Sequence, residues 1–249
     1  MINSRPGRIW GLIAEQAAGR ARRVSAGDAC AVAVATVGVT GAWLTAGSGG
    51  RAVHLIAVTD DVGERLAELE LTLGEGPSRD ASASGETVLA SDLDGLDAAR
   101  RWPVFAAAAC EAGAAAMFAF PLRIGAIRTG VMGMYRDQRG SLTAYQLGDA
   151  LILADAATLL LLDPQDQPSE TDEPGSGGQL VELTIHRAEI DQATGMLTEQ
   201  LGVDIAEAFV RLRAYAYAHD RRLSDLASDI VARRLRLSAD PDPSVEGHA

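Results

Sequence analysis

Between residues 186 and 237 the apolar positions recur at three- and four-residue steps in three short runs separated by polar or glycine breaks. Ile185, Ala188, Ala193, Met196, Leu197 and Leu201 fall on one face of a first helix. Gly202 stops it, and Asp204, three residues before Glu207, marks the next start as an N-cap with a reciprocal partner. A second run carries Ile205, Ala208, Phe209, Leu212 and Tyr215; a third carries Leu223, Leu226, Ala227, Ile230, Val231 and Leu235. Short links between short helices predict a compact all-helical bundle.

Upstream the period changes. Residues 5–24 set arginines against Ile9, Leu12, Ile13 and Ala17, an amphipathic opening helix. Cys30–Val39 and Gly41–Ala46 read as strands, followed by a strand at His54–Thr59 and a helix at Asp61–Leu71. A Gly/Pro loop at Leu73–Pro77 precedes a short helix near Ser78–Ser84, a strand at Thr87–Ser91 and a helix at Val104–Ala112. Ala115–Ile124 and Gly130–Tyr135 form a strand pair, and Thr143–Leu162 closes the series as a long amphipathic helix. Strands surrounded by helices predict an α+β domain around an antiparallel sheet.

Between these regions lies Asp163–Gly178, DPQDQPSETDEPGSGG, whose acidic, Pro/Gly/Ser-rich composition cannot bury a core. As a flexible chain it would span roughly 20–25 Å. The predicted organisation is a first domain over 1–163, a linker over 164–178, a helical domain over 179–237 and a disordered tail over 238–249.

Composition narrows the possible chemistry. All 22 basic residues are arginine, which excludes a P-loop lysine, a Schiff-base lysine and a Ser-Lys dyad. Two cysteines, Cys30 and Cys110, sit in alanine-rich surroundings and read as buried free thiols. With four scattered histidines there is no metal-ligand spacing, no nucleophile elbow and no dinucleotide fingerprint, so neither an enzyme nor a cofactor is expected. The apolar tracts are too short to span a bilayer and no signal peptide is evident, which points to the cytoplasm.

A net charge of −12 argues against broad nucleic-acid binding, yet charges within 186–237 nearly cancel. Three arginine groups stand there: Arg211 with Arg213, Arg221 with Arg222, and Arg233 with Arg234 and Arg236. Arg221-Arg222 falls at a helix start, where backbone N–H groups can take a phosphate. Tyr215, Tyr217 and His219 are close by in sequence and of the type on which unpaired bases stack. A solvated helix face with Tyr215 in the core explains the same residues.

The run IDQATGMLTEQLGVDIAEAFVRLRAYAYAHDRRLSDLASDIV resembles an ANTAR domain, an RNA-binding antitermination module of bacterial signalling proteins. Ala193, Gly195, Ala208-Phe209, Leu212-Arg213, Leu223, Asp225 and Ala227 match that family's pattern in register. Thr194, Ala216, Tyr217 and Asp220 replace its Lys, Ser, Gln and Asn, and Arg222 stands at its later Lys. The resemblance implies a three-helix bundle binding paired RNA hairpin loops, with Thr194, Gly195, Arg211, Arg213, Tyr217, His219, Arg221 and Arg222 as the contact set. Two loops on one transcript imply a homodimer. The replacements leave a second reading open, in which the bundle docks on a protein.

The first domain resembles a GAF domain, a small-molecule-sensing module, over roughly Gly11–Asp163. LGEGPSRDASASGETVLASDL at Leu73–Leu93 and Phe120-Pro121-Leu122 followed by Ile127 and Gly133 carry that likeness. In many relatives the position of Ser78 is a cysteine. Trp43, Phe118, Phe120, Met132 and Met134 are candidates for lining a small-molecule pocket, and core packing explains them equally. The architecture expected is an α+β GAF-like sensor, an antiparallel sheet flanked by helices, followed by a small all-α ANTAR bundle.

Overall fold

The structure is a computed structural model describing residues 4–20, 23–47, 53–125, 127–162, 178–219 and 221–237, with the side chains of 178–187 left aside. The predicted linker over 164–178 (Gly178 excepted), the tail over 238–249 and Asp220 lie outside the described residues. Chain contacts divide at Leu183/Thr184 into two units.

In the first unit, α1 (Arg5–Ala18) and α2 (Ala26–Val37) precede β1 (Gly41–Ala46) and β2 (His54–Val58). Then come α3 (Asp61–Leu73), α4 (Pro77–Ser84), β3 (Val88–Ala90), α5 (Leu96–Arg101) and α6 (Phe105–Glu111). The hairpin β4 (Ala116–Ile124) and β5 (Ile127–Arg136) leads into α7 (Ala144–Leu161). Five antiparallel strands lie in the order β2-β1-β5-β4-β3, which bears out the α+β expectation.

One strand expectation fails. Cys30–Val37 belongs to α2, not to a strand. An unbroken Ala/Val run has no polar face to reveal its period, and a buried helix then reads like a buried strand. The caps carry the information instead. Ser25 and Asp28 form a reciprocal capping box, and Gly38 ends the helix at φ 69°. Arg136 on β5 donates to the end carbonyls of Gly38 and Val37 at 2.8 and 3.2 Å, tying α2 to the sheet.

Alternation along the strands builds a core on each face of the sheet. Ala42, Leu44, Phe118, Phe120, Met132 and Met134 meet α1, α2 and α7. Trp43, Met117, Ala119, Val131 and Tyr135 meet the side carrying α3, α4 and α6. Trp43 stands opposite Gly133 on β5, and its indole occupies the space that a Cβ there would take.

The closing helix α7 starts on a Thr143/Gln146 capping box, as its predicted boundary requires. It is less amphipathic than expected, since Tyr145, Leu151 and Leu159 are exposed opposite the packed face. Its 18 residues are long and apolar enough to cross a membrane by length and composition. Within the unit it is a core helix: its fully buried Asp149 is held by Arg8 at 2.6 Å and Arg5 at 3.4 Å, fastening α1 to it.

The second unit contains α8 (Gly178–Leu201), which crosses the division between the units, then α9 (Ile205–Ala218) and α10 (Leu223–Val231). The buried positions are Ile190, Ala193, Thr194 and Leu197; Ala208, Leu212 and Ala216; Leu223, Leu226, Ala227 and Ile230. The three-helix expectation holds, but the inner face of α9 is rotated from the predicted one. Ile205 is 65% exposed, while Ala216 is buried where Tyr215 was expected to lead. Asp204 caps α9 by accepting from the Glu207 N–H at 2.8 Å. The Glu207 carboxylate accepts from Arg211 at 2.6 Å instead of returning to the cap.

Candidate functional site

The short link between α9 and α10 gathers most of the polar residues expected to meet RNA. Tyr217 ends α9 with 58% of its surface exposed, so its ring is open to a stacking partner. His219 caps that helix; its ring stacks on Tyr215 with centroids 3.9 Å apart, and its Nδ1 lies 2.9 Å from the Tyr215 carbonyl. One face of His219 is therefore already covered. Arg222 is the N-cap of α10 and exposed, beside a first helical turn whose N–H groups face outward from the chain end.

Arg221 reaches along α10 to Asp229 at 2.6 Å, and Arg234 takes the other oxygen of the same carboxylate at 2.7 Å. The two guanidiniums, Arg221 foremost, hold the Asp229 carboxyl below the usual carboxylate range. Two arginines from opposite ends of α10 are thus fixed side by side on one acid. The sequence shows both arginine groups but not the aspartate that joins them, because a carboxylate seven residues into a helix carries no mark of its partners. Arg211 lies farther back on α9, paired to Glu207, and Arg213 is half-buried on the same helix.

Two residues of the expected contact set sit on α8, with different outcomes. Thr194 is not on the surface: it is 5% exposed and its hydroxyl donates to the Ile190 carbonyl at 2.7 Å. A threonine one turn inside an apolar face satisfies its own hydroxyl this way and packs like valine, so it offers nothing to RNA. Gly195 next to it is exposed, and a Cβ there would meet nothing within 4 Å. Gly195→Ala is therefore expected to stabilise the second unit by about 1 kcal/mol through helix propensity alone. Thermal unfolding of the variant checks this, and a lowered transition would mean that the glycine is needed by the fold.

Charge is unevenly divided along this unit. Residues 188–207 contain five acids and no arginine, whereas residues 208–237 contain seven arginines against three acids. The near-neutral total conceals a basic half built from α9 beyond Glu207, the link, α10 and the six residues that follow it.

In the first unit the five residues expected to line a pocket do not share one. Trp43 belongs to the core on one face of the sheet and Phe118, Phe120, Met132 and Met134 to the core on the other. Adjacent strand positions point to opposite faces, so Trp43 is separated from them by the sheet itself. All five are fully buried. A cavity of about 30 Å³ lies elsewhere, between α3, α4 and strands β1 and β5, with Glu70, Ser78, Thr45 and Val131 in its wall. Glu70 is 3% exposed and accepts from the Ser78 N–H at 2.6 Å. Burial pushes its carboxyl up to about 8, against the opposing pull of that hydrogen bond and of Arg79. The residue that sequence reasoning missed is Glu70, whose period within α3 is that of an inward position. Cys30 is buried and Cys110 half-buried, both unpaired.

Solved structures similar to this chain include the GAF domain of a phosphoenolpyruvate-protein phosphotransferase from Coxiella burnetii, at 12% identity and TM-score 0.47, covering 64% of this chain and 95% of that one. Another is a GAF domain from Synechocystis, at 12% identity and TM-score 0.41, covering 55% of this chain and 90% of that one. A third is a type II free methionine-R-sulfoxide reductase from Thermoplasma acidophilum, at 11% identity and TM-score 0.38, covering 61% and 94%. These likenesses are low, and the architecture of the first unit rests on its own strand order. No curated protein matches the chain. The family model of the ANTAR domain matches residues 179–231, which are α8, α9 and α10 almost end to end. This chain therefore carries an ANTAR domain at residues 179–231.

Proposed function

We propose that the chain is a signal-responsive regulator that binds paired hairpin loops in leader transcripts and thereby opposes transcription termination. The observation that carries this reading is the link between α9 and α10 in the ANTAR domain, where the open Tyr217 ring near the end of α9 is followed by Arg221 and by the exposed Arg222 at the N-cap of α10. Unpaired loop bases would stack on Tyr217 while their phosphates meet Arg213, Arg221 and Arg222. The first unit acts as a GAF-like sensor and dimerisation module. Two domains held in one dimer raise the effective concentration for the second loop of a transcript. No catalytic role is assigned to either unit.

Filter binding of the full chain to two-stem-loop RNAs tests the reading. Arg222→Ala is expected to weaken binding about tenfold and to flatten the dependence of log K on log salt by nearly one unit. A salt slope near zero for the unaltered chain would rule out RNA binding. The second reading, docking on a protein through α9, is favoured by the exposed apolar Val210 and Tyr217, which lie two turns apart on one side of that helix. Arg222→Ala separates the two, because it weakens RNA binding and leaves a protein contact through Val210 and Tyr217 in place, whereas Tyr217→Ala weakens both.

A further inference from the structure

Beyond residue 231, where the family match ends, the chain continues as Ala232-Arg233-Arg234-Leu235-Arg236-Leu237. This is no loose end. Leu237 is 6% exposed and its carbonyl accepts from Gln200 Nε2 of α8. The N–H groups of Arg234 and Leu235 donate to the Asp229 carbonyl, and the Arg234 side chain is held by the Asp229 carboxylate. The six residues are fastened at both ends, to α10 and to α8.

Between those fastenings stand Arg233 and Arg236, both exposed. The other arginines of the basic half are engaged: Arg211 with Glu207, Arg221 and Arg234 with Asp229, and Arg213 and Arg222 in interactions of their own. Arg233 and Arg236 have no carboxylate partner among the described residues. Arg233 also holds φ 59°, the left-handed conformation in which a helix end ordinarily uses glycine. Its carbonyl-side turn is what brings Arg234 back to Asp229. A long cation kept where glycine is cheaper points to a use for the side chain outside the fold.

We propose that residues 232–237 form a supplementary RNA-phosphate clasp, in which Arg233 and Arg236 contact the backbone of the bound RNA. The proposal rests on the RNA-binding reading above and extends it past the ANTAR domain proper. RNA is the occupant that matches, because the segment offers unneutralised guanidiniums on a fastened backbone and its two leucines are at least half-buried.

The test uses the full chain and a pool of two-stem-loop RNAs with randomised loops, read by filter binding across a salt series. Arg233→Gly with Arg236→Gln is expected to weaken binding about tenfold and to reduce the salt slope by about 1.4 to 1.8, the loss of two phosphate contacts. Its Tm should be unchanged or higher, because glycine relieves the left-handed backbone at position 233. Arg233→Lys with Arg236→Lys should restore most of the affinity and the slope. If the Gly/Gln variant keeps the original slope while Arg222→Ala still weakens binding, the clasp is wrong and the RNA reading stands. If the unaltered chain binds no RNA in the pool, both fall.

Discussion

Gly133→Ala is expected to destabilise the first unit by about 3 kcal/mol or more. An alanine Cβ at this central β5 position would lie 2.2 to 2.6 Å from three atoms of the Trp43 indole. Trp43 is fully buried and cannot swing away, since the opposite edge of its ring packs near Gly63 on α3. Overpacking a closed core commonly costs about 1–3 kcal/mol, and a contact this short against a rigid ring lies at the upper end or beyond it. The aromatic ring and the glycine form one feature, the ring covering the gap that the missing side chain leaves between strands. Urea denaturation of the full chain, followed by Trp fluorescence, checks this. A variant that retains a transition within about 1 kcal/mol of the original would show that the sheet can shift to admit a methyl group.

Glu70→Gln is expected to raise stability above pH 8 and to remove a slope that the unaltered chain shows below it. The folded carboxyl titrates at about 8 against 4.5 for the unperturbed group, so between those values the folded state holds a proton that the unfolded state has released. Stability therefore falls as pH rises through this window, at up to about 1.4 kcal/mol per unit, and levels off above pH 8. Glutamine keeps an oxygen for the Ser78 N–H and carries no charge to bury. The gain at pH 9 should be on the order of 4 kcal/mol, the whole linkage contribution. Difference curves between variant and parent over pH 5.5–8.5 isolate Glu70 from the acidic surface groups. Parallel curves would mean that the carboxyl is ionised at neutral pH and finds a cation in the folded chain.

The parts of this chain that were legible in its sequence are those where a polar face interrupts an apolar one. Asp61–Leu73, the β4–β5 hairpin and the three ANTAR helices all alternate visibly, and all were placed within a few residues. Cys30–Val37 has no such interruption, and only its caps distinguish helix from strand. The site divides in the same way. Arg221, Arg222 and Tyr217 declared themselves by type and position at a helix link. Thr194 was misplaced because a family position fixes where a residue stands along a helix but not which way a shorter, self-bonded side chain turns. The proposed pocket failed for a simpler reason: strand neighbours such as Trp43 and Leu44 are adjacent in sequence and separated by a whole sheet in space. Glu70 and Asp229 acquire their meaning from partners eight residues away, Ser78 for one and Arg221 for the other, which no local pattern announces.

Asp229 has a further bearing on how selective the surface can be. A single small anion arriving at Arg221 or Arg234 must displace a carboxylate that both guanidiniums already share, and gains little by the trade. A polymer that presents two phosphates at once can take both arginines together and leave Asp229 to water. On the RNA-binding function proposed above, the aspartate acts as a resident competitor that raises the threshold for mononucleotides and free phosphate while holding two side chains ready for a polymer.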